Sequence, residues 1–86
     1  MHFVKNVKYL SEYKLLVIFK NGVIKQVDFK EHLNGEIFTS LKEINYFKTV
    51  RVNQDIDTIV WENGADFSPD FLYDIGIDID HSALVK

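Results

Sequence analysis

The stretch Ile59–Ile75, IVWENGADFSPDFLYDI, contains the signals for a strand, a tight turn and a capped helix in succession. Ile59–Trp61 is a β-favouring apolar run, and the Asn63-Gly64 dipeptide that follows is typical of hairpin turns. Ser68–Asp70 then supplies an N-cap serine, a proline for the first helical position and an acidic residue for the first turn. The stretch therefore predicts a strand, a turn and a helix that begins with the proline.

An upstream strand pattern ends at Phe19 and is followed by a second Asn-Gly dipeptide. A three-residue loop, Lys20–Gly22, with its glycine in the left-handed conformation, pairs Phe19 with Val23. A two-residue loop would mix polar and apolar residues on both faces of the hairpin, so the sequence favours the bulged loop. Because Trp61–Gly64 has the same pattern, both hairpins are predicted to share this loop.

In this register one face of the first hairpin is almost entirely apolar. The apolar residues of the segment 13–19 lie beside those of the segment 23–29, and Lys25 is the one polar residue on that face. On the opposite face Lys14 lies across from Asp28, which is a favourable pair of charges. We therefore expect the apolar face to be turned toward the core.

The other segments extend this pattern to an α+β fold. Further strands are predicted at residues 3–9, 48–52 and 58–61, and helical segments at 36–47 and 69–74, the second one ending before Gly76. Ser40 and Glu43 have the spacing of a capping box, which favours two short helical turns over one helix in the first segment. The order β-β-β-α-β-β-α predicts a five-stranded, mostly antiparallel sheet with two short helices on one face. Residues 1–76 form the predicted domain, and residues 77–86 a flexible C-terminal tail.

Length and composition restrict the class of protein. The 86 residues suffice for one domain, and 47% apolar and 14% aromatic residues are typical of a globular chain. The absence of cysteine excludes disulfides and thiolate metal sites and agrees with a reducing compartment. The longest apolar run, Leu15–Phe19, is far shorter than a membrane span, and the N-terminus lacks the apolar region of a signal peptide. We therefore expect a cytoplasmic protein with no membrane segment.

Two clusters of side chains have the spacing of cation ligands: Asp66, Ser68 and Asp70, and further on Asp78, Asp80 and His81. In the first cluster the serine and the second aspartate have helix-capping positions, and the glycine and glutamate of an EF-hand loop are missing. The second cluster lies in the predicted tail, where solvated side chains are expected. His2 and His32 have no acid or nucleophile at a spacing typical of a catalytic motif, and the sequence contains no glycine-rich phosphate loop. We therefore predict no catalytic residues, no metal site and no cofactor.

The chain has more aromatic residues than a core of this size needs. Core packing is one interpretation, and the other is an exposed patch for a protein partner or a homodimer, since aromatic residues are favoured anchors of interfaces. On the second interpretation, the candidate interaction surface comprises Tyr9, Trp61, Phe71 and Tyr73.

The basic residues of the strands and turns provide a different alternative. Together with neighbouring aromatic rings, such residues are typical of sites for single-stranded nucleic acids. They are Lys5, Lys8, Lys14, Lys20, Lys25, Lys48 and Arg51. Lysines on a sheet also keep its solvent face soluble and discourage edge-to-edge pairing. Nucleic-acid binding is therefore the alternative to a protein partner, not the leading interpretation.

A set of motifs spread over the chain resembles one family. Its members share the pattern Leu15-x-Val17-x-Phe19 with Asn21-Gly22, then Glu36-x-Phe38-x-x-Leu41 and Phe47, then Ile59-Val60-Trp61-x-Asn63-Gly64-x-Asp66-x-x-Pro69-x-x-Leu72-Tyr73. With this pattern the chain resembles the domain-of-unknown-function 2442 (DUF2442) family of small bacterial proteins over about residues 4–74. Glu62 departs from the pattern, since a proline is common there.

The resemblance implies a compact antiparallel α+β module with no assigned activity. Members are often encoded beside small toxin-like proteins, which implies an antitoxin-like or regulatory role. Together with the aromatic residues, this predicts a non-enzymatic protein–protein interaction or regulatory module whose partner is a neighbouring gene product or a second copy. The alternative is a nucleic-acid-binding module that uses the lysine-rich strands.

Overall fold

The computed structural model describes residues 1–79 and contains two antiparallel sheets and three short helical segments. The elements are β1 (Val4–Ser11), β2 (Lys14–Phe19), β3 (Ile24–Asp28), a 3₁₀ helix (Glu36–Lys42), α1 (Ile44–Phe47), β4 (Arg51–Asn53), β5 (Thr58–Val60), α2 (Pro69–Ile75) and β6 (Ile77–Asp78). The larger sheet has the strand order β1-β2-β3-β6, while β4 pairs with β5 alone. This confirms the α+β class with antiparallel sheets and few short helices.

The prediction of one five-stranded sheet is wrong. Ile59 and Trp61 on the second hairpin belong to the same buried cluster as Leu15 and Val27 of the larger sheet. The hairpin therefore packs against that sheet instead of extending it, because its apolar face is directed into the core. A backbone hydrogen bond from Val4 N–H to the carbonyl of Asp57 (2.8 Å) joins the two sheets at one corner.

The chain also continues in regular structure beyond the predicted end of the domain. A flexible tail was expected from Ile77, but Ile77 and Asp78 form β6 and pair with Gln26 and Lys25 of β3. The amide of Ile79 then donates to the carbonyl of Ile24 at 2.9 Å. The fourth strand of the sheet therefore comes from the predicted tail, and the remaining residues of that tail, 80–86, lie outside the described residues.

The bulged loop predicted at each Asn-Gly dipeptide is confirmed: the first closes the β2–β3 hairpin, and the second joins β5 to an isolated bridge at Asp66. Phe19 N–H donates to the carbonyl of Val23 at 2.9 Å, and Trp61 N–H donates to that of Ala65 at the same distance. The glycines of the two loops, Gly22 and Gly64, have φ of 90° and 88°, which favours glycine over any residue with a Cβ. The register of β2 with β3 follows, with Lys14 opposite Asp28 as predicted.

The helical segments follow their predicted caps in part. Residues 36–47 form two short helical pieces, as predicted, but the capping box at Ser40 is wrong. Glu43 is itself the N-cap of α1, and its carboxylate accepts a hydrogen bond from Asn45 N–H at 3.3 Å. The helix predicted after Ser68 is confirmed, since the serine hydroxyl accepts from Phe71 N–H at 3.4 Å.

The core lies between the inner face of the larger sheet and the helices with the second hairpin. Aromatic rings fill its centre, where Phe29 contacts Phe47, Trp61 and Phe67 at centroid distances of 5.7, 6.3 and 4.9 Å. These edge-on and tilted arrangements are the favoured ones for aromatic pairs. Among the described residues, no buried side-chain nitrogen or oxygen lacks a hydrogen-bond partner.

Candidate interaction surface

Trp61, one of the four predicted interface residues, is a core residue. Its side chain is 1% exposed, and its indole N–H donates to the carbonyl of Phe47 at 2.9 Å. The ring packs against Phe47, Phe29 and Phe67. The interpretation of Trp61 as a surface anchor is therefore wrong, because the apolar face of the second hairpin is directed inward.

The other three predicted residues are half-buried and lie in separate places. Tyr9 packs edge-on against Phe47, and its hydroxyl donates to the carbonyl of Glu12 at 3.0 Å. Phe71 is stacked on Phe67 with a centroid distance of 5.8 Å. Tyr73 contacts the rings of His2 and Phe19. Within residues 1–79, no aromatic contact joins any two of the three predicted residues. The structure therefore does not bring them together as one aromatic patch.

Tyr73 lies between two charged or titratable groups. The imidazole of His2 stacks on its ring at a centroid distance of 3.6 Å, and the ammonium of Lys25 lies 4.3 Å from the same centroid. Since both groups approach the ring centre closely, they occupy opposite faces of the ring. Stacking and cation–π contacts thus fix the position of α2 relative to the N-terminal residues and β3.

Lys25, the polar residue predicted on the apolar face, covers the end of the core with its aliphatic stem. Its side chain is only 11% exposed, and its ammonium is 3.0 Å from the carboxylate of Asp78 on β6. The stem passes so close to Gly76 that a Cβ there would lie 2.8 Å from that of Lys25. A glycine at the end of α2 is therefore required by this close approach, since its φ of −71° is available to any residue.

His2 is held by Asp70, the second residue of α2. The backbone N–H of His2 donates to the Asp70 carboxylate at 2.8 Å, and the imidazole Nδ1 lies 2.7 Å from the same oxygen. These two contacts, the side-chain one first, lower the pKa of the Asp70 carboxyl below its ordinary value of 3.8. The pair therefore attaches the N-terminal residues to the start of α2.

The residues predicted to resemble cation ligands have separate roles. Ser68 caps α2, Asp70 accepts from His2, and Asp78 pairs with Lys25. Asp80 and His81 lie outside the described residues. Within residues 1–79, no three histidine, aspartate or glutamate side chains converge in a way that would hold a metal ion.

A shallow cleft of about 380 Å³ opens beside the Lys25–Asp78 pair. Its walls come from the first hairpin loop, Tyr73 and the residues of β6. The polar groups at the cleft are already engaged with each other, since the ammonium contacts both the carboxylate and the tyrosine ring. The arrangement stabilises the junction of α2, β3 and β6.

The outer face of the larger sheet carries an aliphatic surface that the sequence interpretation did not single out. Directly paired residues of neighbouring strands point to the same face. The register therefore places four side chains together on this face, which we call the aliphatic face: Leu16, Ile18, Ile24 and Ile77. Leu16 and Ile24 are 7% and 9% exposed, Ile18 is half-buried, and Ile77 is 66% exposed.

Within residues 1–79, the buried side chains of the helices belong to the cluster on the other side of the sheet. Leu41, Phe47 and Leu72 all pack in that inner cluster, which contains none of the aliphatic-face residues. Polar side chains surround the aliphatic face instead, with Lys8 beside Leu16 and the Lys14–Asp28 pair next to it. An apolar centre with a polar rim is the usual composition of a protein interface.

The outer edge of β1 is protected against strand addition, and at Val4 it is already occupied by the hydrogen bond to Asp57. The ladder with β2 is irregular at two places, between Val4 and Asn6 and between Tyr9 and Ser11. Between them, the side-chain oxygen of Asn6 accepts a hydrogen bond from Val7 N–H at 2.8 Å. Since bulges and occupied backbone donors discourage edge pairing, a partner is better accommodated by the face than by this edge.

The fold and surface define the class as a small antiparallel α+β module, and within residues 1–79 none of its helices is long and apolar enough to cross a membrane. The sequence model of a family described as "Protein of unknown function (DUF2442)" matches residues 4–78 of the 86-residue chain. The chain therefore belongs to the DUF2442 family, which confirms the resemblance. The match includes β6, in agreement with its place in the sheet. No curated protein and no solved structure matches the chain.

Proposed function

We propose that this protein is a non-enzymatic protein–protein interaction or regulatory module that binds its partner through the aliphatic face. The observation that carries the proposal is the composition of β2, in which Leu15–Phe19 is unbroken in its apolar character. A strand with one solvated face alternates between apolar and polar residues, whereas a continuous apolar run is typical of a strand that is covered on both faces. The inner face of β2 meets the core, and a partner would cover Ile18, the outer-face residue of β2 that remains partly open to solvent.

The exposed part of the surface supports the same proposal. Ile77 is 66% exposed beside Gln26, and Ile18 is half-buried between Asn6 and Ile24. Branched aliphatic side chains that are grouped on a rigid sheet lose little rotamer entropy on binding. The charges around them would influence the rate and orientation of the encounter. An antitoxin-like or other regulatory role is one form that such partner binding takes.

Nucleic-acid binding is the weaker candidate, because several of the basic side chains on which it depends have acidic partners. Lys20 pairs with Asp57 at 2.7 Å and Lys25 with Asp78 at 3.0 Å. A site for single-stranded nucleic acid requires basic groups that are free to neutralise phosphates. Binding of a labelled oligonucleotide at low salt, weakening steeply as salt is raised, would favour this candidate over a protein partner.

The proposal is tested by immobilising the tagged full chain and adding, in separate experiments, the product of the neighbouring gene and an untagged second copy of the chain. We expect one of these two proteins to bind the wild-type chain saturably and with one-to-one stoichiometry when binding is followed at equilibrium, without a wash step. The double variant Ile18→Thr/Ile77→Thr should lose it, since two apolar contacts of the face are replaced by polar ones. Threonine keeps the β propensity of the two positions.

The matched control is Ile56→Thr, because Ile56 is also an exposed isoleucine (48%) but lies between β4 and β5, away from this face. Binding that survives in the control and is lost in the double variant supports the aliphatic face. Retention of neither protein by the wild-type chain, or equal retention by all three chains, would show that the proposed function is wrong.

A further inference from the structure

We infer that the partner of the aliphatic face is a second copy of this chain, related to the first by a two-fold axis that runs parallel to the strands between β2 and β3. This inference rests on the proposed function and specifies the partner of the same surface. It derives from the register of β2 and β3, which makes the face complementary to itself.

The register places matching residues on either side of the proposed axis. Leu16 pairs with Gln26, Ile18 with Ile24, and Lys14 with Asp28 across the two strands. When two such faces are packed together about this axis, each β2 lies over the β3 of the second copy. Each side chain of a cross-strand pair therefore faces the other member of that pair on the second copy.

The outer two of these rows are complementary under the two-fold operation. Ile18 would face Ile24 of the second copy, so that two branched aliphatic side chains meet at each of two equivalent positions. Lys14 would face Asp28 of the second copy, and the reciprocal contact would form on the other side of the axis. A face with lysines at both positions 14 and 28 would repel its own copy. With Lys14 and Asp28, two attractive lysine–aspartate contacts form between the copies.

The middle row limits the affinity. Leu16, which is only 7% exposed, would face Gln26 of the second copy, and Ile77 would face Lys8, which the register places in the same row. Neither a glutamine amide nor an ammonium gains much from an aliphatic neighbour. The four strands lie about 4.8 Å apart and are about five residues long on average, although β6 has only two, so the sheet covers roughly 320 Å² of flat area. Each partner in a standard interface buries roughly 800 Å² of accessible surface. The small area favours weak, reversible association over a permanent dimer, so the association is sought at a Kd on the order of 10–100 µM.

The decisive experiment mixes two charge-reversal variants. Lys14→Asp gives a face with two aspartates at this level, and Asp28→Lys gives a face with two lysines, so neither should associate with itself. In an equimolar mixture the two faces are complementary again, and a heterodimer should form. Sedimentation equilibrium on the full-length chains, from about 5 to 500 µM, covers the expected Kd range.

We expect each reversal alone to weaken self-association by about tenfold or more, and the mixture to return to within about threefold of the wild-type Kd. Lys48→Asp and Asp74→Lys are matched controls, because they change the net charge equally at exposed positions outside the face. They should leave the Kd unchanged. Gln26→Leu should tighten the dimer, since it replaces the mismatched residue of the middle row.

Each reversal also places like charges on neighbouring strands of one chain, so its folding is checked by circular dichroism before the association is measured. Should either reversal fail to fold, Ile18→Thr and Gln26→Leu still test the inference, because they must shift the Kd in opposite directions. A wild-type chain that is monomeric up to the highest concentration overturns the inference, as does a mixture that fails to associate. If that monomer still binds the neighbouring gene product through the face, the proposed function stands with a different partner.

Discussion

The two faces of the larger sheet differ in chemistry although the same strands build both. The inner face packs Phe19 and Phe29 against further aromatic rings in the core. The outer face has aliphatic side chains, of which Ile18 and Ile77 remain partly open to solvent. The rings on the inner face thus pack in the core together with aliphatic side chains such as Leu15 and Val27, whereas Ile18 and Ile77 on the outer face lie where a partner can reach them.

This division separates stability from recognition. Aromatic rings in the core have specific edge-on partners, so their loss leaves cavities that neighbouring side chains cannot fill. On the outer face, the partly open Ile18 and Ile77 have fewer obligatory partners, and replacing either one costs little in the isolated chain. Substitutions on the inner face should therefore affect folding, and those on the outer face should affect association.

The largest expected effect is that of Phe29→Ala on the inner face. Phe29 is fully buried among three rings, so its truncation should lower the free energy of unfolding by about 3–5 kcal/mol. Since a chain of this length has a stability of roughly 4–13 kcal/mol, the variant should be close to unfolding. Urea denaturation monitored by Trp61 fluorescence at low protein concentration measures the loss.

The control on the outer face is Ile18→Ala, which should cost about 1 kcal/mol in the same experiment because the side chain is only half-buried. A difference between the two variants of less than about 1 kcal/mol would contradict the proposed division of roles.

A smaller effect is expected at Lys25, a charged residue of the inner face that pairs there with Asp78. Lys25→Met keeps an unbranched stem over Gly76 and removes the contacts with Asp78 and Tyr73. Because Asp78 is 80% exposed, the ion pair is weak, and the methionine variant should lie within about 1 kcal/mol of the wild type. Lys25→Ala also removes the stem and should cost about 2 kcal/mol.

Thermal and urea denaturation of both Lys25 variants distinguish the two parts of the side chain. If Lys25→Met were as unstable as Lys25→Ala, the charge and not the stem would hold this position, and the inner face would depend on electrostatics as the rim of the outer face does.

The local geometry of the first hairpin could be predicted because short-range signals determine it. Only one register agrees with the Asn-Gly dipeptide, with a left-handed glycine and with the alternation of side chains between the two faces of a strand. In that register Phe19 pairs with Val23. Repetition of the same pattern at Trp61 gave the second loop correctly for the same reason. The serine N-cap of α2 is equally local.

The division into two sheets could not be predicted, because it depends on contacts between distant residues. The alternation around Ile59 is the same whether the hairpin extends a sheet or packs on it. Burial of Trp61 follows from that packing, so the sequence interpretation of it as a surface anchor had no local signal against it. Strand β6 was missed because two residues are too few to give a periodic pattern.

The aliphatic face could have been found from the sequence. Leu15–Phe19 is too short for a membrane span, yet an apolar run of strand length without alternation indicates a strand that is covered on both sides. The aromatic residues drew attention instead, since they are enriched in interfaces. In a chain of this size the rings are needed in the core, and the surplus of apolar side chains is aliphatic.

The smallest expected effect concerns Asp70, which attaches His2 at the periphery of the inner face. Because the pKa of its carboxyl is lowered in the folded chain, the ionised form stabilises the fold above the ordinary pKa of 3.8, and this contribution is lost as the pH falls through the lowered value. In urea denaturation from about pH 5 downward, the wild type should therefore lose stability faster than Asp70→Asn, until the two midpoints meet. Asp74→Asn on the same helix is the matched control, since Asp74 forms no ion pair within residues 1–79. It should follow the wild type, and parallel curves for Asp70→Asn and the wild type would show that the His2 contact adds nothing to the stability of the inner face.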